Sequence, residues 1–294
     1  MTLPSIQTQD ATNDHHVPVL DHVVINVHGA LDQAQARYTQ LGFQLSARGH
    51  HSLGSSNHLA IFGENYLELL GFEPQNEGRR ADLWEAPPGL SGLVFKTQDS
   101  LGLYTHLQSQ DLAVEDPSEF HRPVTLPDGV REARFRTVRL GKSLVRNGRT
   151  FFCHHFTPDL VWRDAWREHP NGVTDIVEFV VSSPDPRATV ALYEKVFSPD
   201  AVASISADEY VLDAGQAKVR FVTPDAAESR YGRVPRTTDG SERYVALALR
   251  TASLARTRAL LAANGVAFAE QADGSVLVAA DDAFQVALRF TEHA

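Results

Sequence analysis

Leu20-Asp21-His22-Val23-Val24-Ile25-Asn26-Val27 and, further along, Asn65-Tyr66-Leu67-Glu68-Leu69-Leu70-Gly71 are the two runs that decide how this chain is read. In both, apolar side chains alternate with others, the period of a strand with one packed face and one free face. With Leu67 and Leu69 turned to the core, Glu68 must point the other way. In the first run His22, Val24 and Asn26 share one face, while Val23, Ile25 and Val27 share the opposite one. An imidazole and a carboxylate are therefore expected to look out from a single sheet.

Working outward, the first strand is followed by an amphipathic helix in which Leu31, Ala34, Tyr38 and Leu41 make one face and Gly42 makes the stop. Strands are expected over Phe43 to Arg48, Asn57 to Phe62 and Tyr66 to Phe72. The same strand, helix and three strands can be read three more times, with first strands at Leu90 to Thr97, Asp175 to Val181 and Arg243 to Leu249. In the second copy the later strands are expected at Val114 to Glu115, Val130 to Leu140 and Thr150 to Phe156. In the fourth they are expected at Ala267 to Gln271, Ser275 to Ala279 and Phe284 to Phe290. Repetition at roughly 70 to 80 residues is too long for a solenoid, and four copies imply two pairs. The expected fold class is α+β: four tandem βαβββ modules in two pairs. The expected division is a flexible leader over 1–17, a first pair over 18–160 carrying the site, a linker over 161–172, and a second pair over 173–294. Residues 225–241, between the third and fourth modules, read as a loop.

A net charge of −10 and a pI near 5.7 argue against nucleic acid or an anionic membrane surface, both of which need a basic patch. A small molecule is the expected partner. The one cysteine, Cys153, cannot form an internal disulfide, and the first residues lack the basic start and apolar core of a secretory signal. No run is long enough for a membrane helix, so a cytoplasmic location is expected. The chain has no Gly-x-Ser-x-Gly elbow, phosphate loop or Cys-x-x-Cys pair.

Five stretches, Leu20-Asp21-His22-Val23-Val24, Gly54-Ser55-Ser56-Asn57-His58-Leu59, Tyr66-Leu67-Glu68-Leu69-Leu70-Gly71, Phe151-Phe152-Cys153-His154-His155 and His169-Pro170-Asn171-Gly172, resemble the glyoxalase-like domain family of bacterial proteins. That family falls in the vicinal oxygen chelate superfamily, with glyoxalase I, extradiol dioxygenases and bleomycin-resistance proteins. The resemblance implies a curved sheet closed around a cleft by each pair of modules, with metal ligands on the first and last strands of each module. His22 and Glu68 stand where the first module would supply them. In the second module Gly92 aligns with His22 and offers no ligand, whereas Cys153, His154 and His155 fall near the place of Glu68. Alternation puts Cys153 and His155 on one face and His154 on the other, and parity favours His155 in the cleft.

His22, Glu68 and His155 would form a two-histidine, one-carboxylate set suited to a divalent ion such as Fe, Mn, Zn or Ni. In such chemistry the metal polarises adjacent oxygens while a carboxylate moves the proton, which makes Glu68 and His155 the candidate catalytic groups. The function expected is that of a metal-dependent lyase, isomerase or dioxygenase. The alternative is a metal-free binder of the bleomycin-resistance type, and a hydrogen-bonded strand histidine beside a solvated glutamate remains the plainer account of His22 and Glu68. Candidate substrate-binding residues are Asn57 and His58 after the Gly54-Ser55-Ser56 turn, Arg134 and Arg136 on one strand face, His154, and His169, which the resemblance alone brings toward the site. The second pair has only Glu178 on a first strand and is expected to be a structural or dimerising partner, with a homodimer the corresponding oligomer.

Overall fold

The computed structural model describes residues 17–292, so nearly all of the expected leader, with its His15-His16 pair, lies outside the described residues. Two eight-stranded curved sheets are formed in chain order. The first holds β1 (Leu20–His28), β2 (Gly49–His50), β3 (Ser56–Ile61), β4 (Tyr66–Gly71), β5 (Gly89–Lys96), β6 (Ser118–Leu126), β7 (Gly129–Arg139) and β8 (Arg149–His155). The second holds β9 (Val173–Ser182), β10 (Val202–Ser206), β11 (Glu209–Ala214), β12 (Ala217–Val222), β13 (Arg243–Thr251), β14 (Ala269–Glu270), β15 (Val276–Val278) and β16 (Ala287–Thr291). Their orders are the same, β2-β3-β4-β1-β5-β8-β7-β6 and β10-β11-β12-β9-β13-β16-β15-β14. Each half-sheet is one βαβββ module whose first and last strands run parallel, and the two first strands of a pair meet antiparallel at the centre. The α+β architecture of four paired modules is thus the observed one.

The structure departs from the sequence reading where polar strands and short strands misled it. Phe43 to Arg48 makes no strand, and only Gly49–His50 pairs with β3. In the second module Val114 forms an isolated bridge, and the missing strand is β6, which pairs with β7 through the Pro127-Asp128 turn. Residues 225–241 hold a helix, α5 (Pro224–Tyr231), capped by Thr223 Oγ1 accepting from the Ala226 N–H.

Helices α1 (Leu31–Gln40), α3 (Ser100–Ser109), α4 (Pro186–Val196) and α6 (Leu254–Ala263) sit on the convex faces, and α2 (Ala81–Trp84) is a single turn between the first two modules. Apolar side chains of these helices and of both convex faces form one continuous core, from Val23, Ile25 and Tyr38 to Phe179, Tyr193 and Leu288. Polar contacts cross it. Tyr38 donates to the Ala283 carbonyl at 3.2 Å, and Thr150 Oγ1 lies 3.0 and 2.8 Å from the Tyr193 and Tyr244 hydroxyls. Asn65 clamps Ile176 by accepting from its N–H and donating to its carbonyl, both at 3.0 Å.

The concave faces point outward and differ. In the first domain β2 runs on into a segment that reaches β6, the Ser52 N–H donating to the His121 carbonyl at 3.0 Å, so the sheet closes into a near-barrel. In the second, α5 fills the hollow: Tyr231 donates to Glu178 and is fully packed, and Arg220 pairs with Glu178 at 2.7 Å.

Two junctions make testable claims. Gly92 faces Val24 across β1 and β5, and a Cβ there would lie 2.6 Å from Val24 Cβ. Gly92→Ala is expected to cost ~1–3 kcal/mol of unfolding free energy by overpacking, and the double variant with Val24→Ala to recover part of it in a denaturant titration. His169 is 3% exposed and ties the segment between the domains to the first of them: its Nδ1 accepts from the Gln44 N–H at 2.9 Å and its Nε2–H donates to the Ile61 carbonyl at 2.8 Å. Only a neutral ring can do both, and burial holds it below the ordinary value of 6.5 against the pull of the Ile61 carbonyl. The unfolded chain then binds more protons than the folded one, so this stabilisation is present above that ordinary value and is lost as pH falls below it. His169→Ala should lose ~2–4 kcal/mol at neutral pH by stranding two backbone groups and should flatten the fall in stability between neutral pH and mildly acidic pH.

Candidate active site

The closed first sheet encloses a cavity of about 280 Å³. Strand alternation decides what lines it: His22 and Val24 from β1, Asn57 and Leu59 from β3, Tyr66, Glu68 and Leu70 from β4, with Phe135, Phe151 and Cys153 from the second module. The exposed Glu115, Asp116 and Ser118 mark its mouth. The expectation that His22 and Glu68 look out of one sheet holds, and their nearest atoms, His22 Nε2 and Glu68 Oε2, lie 3.8 Å apart.

Behind His22 sits Asp21, with no exposed surface. Simple alternation would send Asp21 to the convex side, but the pairing of β1 with β5 is irregular between Leu20 and His22, and the carboxylate comes round to the imidazole. Asp21 Oδ2 accepts from His22 Nδ1 at 2.7 Å and from His155 Nε2 at 2.8 Å. Burial alone would push the Asp21 carboxyl up, yet its charge and hydrogen-bond interactions with His155 and His22 hold it well below the usual carboxylate range. With Nδ1 so occupied, His22 turns Nε2 to the cavity. The ring is held flat by stacking on Tyr66, centroids 4.3 Å apart, with Phe151 at its edge.

Glu68 is positioned from the other side. Asn57 donates from Nδ2 to Oε1 at 2.6 Å, and His51 brings Nε2 to 3.8 Å from that same oxygen. The Nδ1 of His51 is tied to Ser55 Oγ at 2.8 Å. Burial pushes His51 down to about 4, with the Glu68 charge opposing, so the ring is neutral near pH 7, and its Nε2 accepts from Asn57 Nδ2 at 3.2 Å. His51 lies just beyond the two-residue β2, where no periodicity could announce it.

Among the described residues, one group of three ligand-type side chains, Asp21, His22 and His155, brings its atoms within 4.8 Å of one another. Its two Asp21 contacts are at ordinary hydrogen-bond lengths. Tyr66 and Phe135, which line the cavity, and Trp162 pack on the His155 ring, so His155 itself does not line the hollow. His22 Nε2, Glu68 and His51 Nε2 do open to it. This second set, two imidazoles flanking one carboxylate, has the donor chemistry of a divalent site, but its ligand atoms do not all come within 4.8 Å of one another as those of the first group do. The first fits the outer support of such a set, a carboxylate that takes the other N–H of a ligating histidine.

The remaining sequence candidates are placed as follows. Asn57 lines the cavity. His58, one residue on, faces away and bonds the Ser46 carbonyl at 2.9 Å. His154 also faces away, to Ser100 Oγ at 3.2 Å. Arg134 and Arg136 share a face as expected, but it is the outer one. Arg136 pairs with Glu119, and both guanidinium groups lie over Phe156. Arg139, on the opposite parity, lines the cavity, as does Arg122 of the unforeseen β6. His169 is spent on the domain junction described above. Burial raises the Cys153 thiol well above its ordinary range, which keeps it an inert wall.

Several solved structures share this fold. A hypothetical protein from Staphylococcus aureus matches with a TM-score of 0.65 and 15% identity, over 92% of this chain and 98% of that one. A mutant of 4-hydroxymandelate synthase from Streptomyces coelicolor matches with a TM-score of 0.56 and 13% identity, over 94% and 92% of the two chains. A xylose isomerase-like TIM barrel/4-hydroxyphenylpyruvate dioxygenase fusion protein matches with a TM-score of 0.55 and 12% identity, over 95% of this chain and 50% of its own. At such identities the likeness shows the fold alone. No curated protein matches the chain. The Glyoxalase-like domain model matches residues 20–197, more than half of the sequence, and the chain belongs to that family.

Proposed function

We propose that this protein is a metal-dependent enzyme acting on a small substrate with adjacent oxygens, in the manner of the lyases, isomerases and dioxygenases of its superfamily, with a divalent Fe, Mn, Zn or Ni ion held by His22, Glu68 and His51. The single observation that carries the reading is the meeting of His22 Nε2 and Glu68 Oε2 at 3.8 Å inside an enclosed cavity, with the far side of the imidazole tied to a buried carboxylate. His155, the third ligand suggested by parity, takes instead the role of a second donor to Asp21. When bound, such an ion would polarise the substrate's oxygens as a Lewis acid.

The chain's own groups do the rest. Asp21 fixes the His22 tautomer, and Tyr66 and Phe151 fix its plane. Asn57 holds Glu68 so that Oε2 faces His22, leaving that oxygen as the group able to take or return a proton. Leu59, Leu70, Leu83 and Phe135 keep the hollow apolar, which strengthens each of these charges. The second domain, its hollow filled by α5, serves as the structural partner.

Elemental analysis of tag-free protein is expected to find metal at one ion per chain, or after addition of Fe, Mn, Zn or Ni. His22→Ala, Glu68→Ala and His51→Ala should each abolish it, and Asp21→Asn should weaken affinity ~10–100-fold without changing stoichiometry. His155→Ala should keep the ion. A wild type that takes up none of the four metals would end the metal reading. Retention by His51→Ala with loss by His155→Ala would move the ion to the Asp21 cluster.

A further inference from the structure

Arg122 stands on β6 with its side chain turned into the hollow, and 5% of the residue is exposed. A guanidinium is charged at any working pH and carries five N–H donors, each costly to leave unmet away from water. Nη2 of Arg122 has no hydrogen-bond partner among the described residues, nor does an ion pair join the group to any carboxylate among them. Glu68 acts on it only at longer range, since the Glu68 oxygens are engaged by Asn57 and flanked by His22 and His51.

The backbone makes room for this arrangement. A Cβ at Gly49 would lie 2.4 Å from Asn57 Oδ1 and 3.3 Å from Arg122 Cδ, so β2 needs a glycine where both side chains pass. Leu59, Leu70, Phe120, Phe135 and Phe151 line the same cavity, together with Arg139 and Arg149 and, at its mouth, Glu115 and Asp116. A buried cation with a spare donor turned into a cavity is half of a bidentate pair whose other half is a planar anion. The volume of about 280 Å³ lies at the small end of ligand pockets and suits a compact acid.

We propose that Arg122 receives a carboxylate of the substrate, so that the site takes a small organic acid with its acid group at Arg122 and its adjacent oxygens toward His22 and Glu68. The placing of the oxygens rests on the function proposed above. The carboxylate contact rests on Arg122 alone.

The test compares benzoylformate with benzoylformamide, a neutral molecule of nearly the same shape, by calorimetric titration of the full-length protein as purified and after chelator treatment, with metal content measured on each sample. Wild type should bind the acid saturably and roughly 10- to 100-fold more tightly than the amide, the range of a charge-assisted hydrogen-bonded pair. Arg122→Met, shown folded by circular dichroism, should bind the two alike, and Arg122→Lys should keep part of the preference. The comparison on wild type alone stands should Arg122→Met fail to fold. Equal binding of acid and amide, or no saturable binding of the acid at millimolar concentration, would overturn the proposal. Loss of the preference on chelation, with Arg122→Met behaving as wild type, would also overturn it while leaving the metal reading intact. A preference that persists in protein holding no metal supports Arg122 even where that reading has failed.

Discussion

A carboxylate with no exposed surface can stay ionised only if donors are brought to it, and Asp21 is met by two imidazoles on strands far apart in sequence. One of them, His22, lies near the start of the first strand of the first module, and the other, His155, ends the last strand of the second. Removing a partner from such a buried charge is far more costly than the pair's net worth, because an uncompensated ion remains. The cluster therefore locks β1 to β8 and, at the same time, decides which nitrogen of His22 faces the hollow. Stability and site geometry share one hydrogen-bond network.

What could be read in the sequence followed period and repetition. The alternation of Tyr66 to Leu70 puts Glu68 and His22 on one face, and the fourfold recurrence of strand, helix and strands yields the paired sheets. What escaped lay where periodicity breaks. Asp21 reaches the site through a strand irregularity that reverses its parity. His51 follows a two-residue strand. Arg122 sits on β6, whose run Glu119-Phe120-His121-Arg122-Pro123 alternates correctly but carries polar outward residues and a proline, and so reads as a loop. Parity alone could rank Arg134 and Arg136 against Arg139, but not say which side was inward; that depended on the neighbouring strand of which no trace was seen.

The two halves show how one topology can be hollow or filled. In the first, the edge strands approach and close the sheet, leaving the interior to solvent-sized space and a few polar groups. In the second, an extra helix after β12 occupies the interior, and Glu178 on its first strand is consumed by Arg220 and Tyr231. A carboxylate in the corresponding hollow is thus a ligand candidate in one half and part of a packed ion network in the other.

The single apolar layer between the sheets has a further effect. Helices from both halves melt or hold together, because neither convex face has another covering. The unit of cooperativity is then the whole chain rather than the module pair, and a cut within residues 156–172 would expose oily helix faces on both fragments. A fault seeded in the second half would reach the first as a loss of folded protein, and it would be recognised as a folding defect rather than a chemical one.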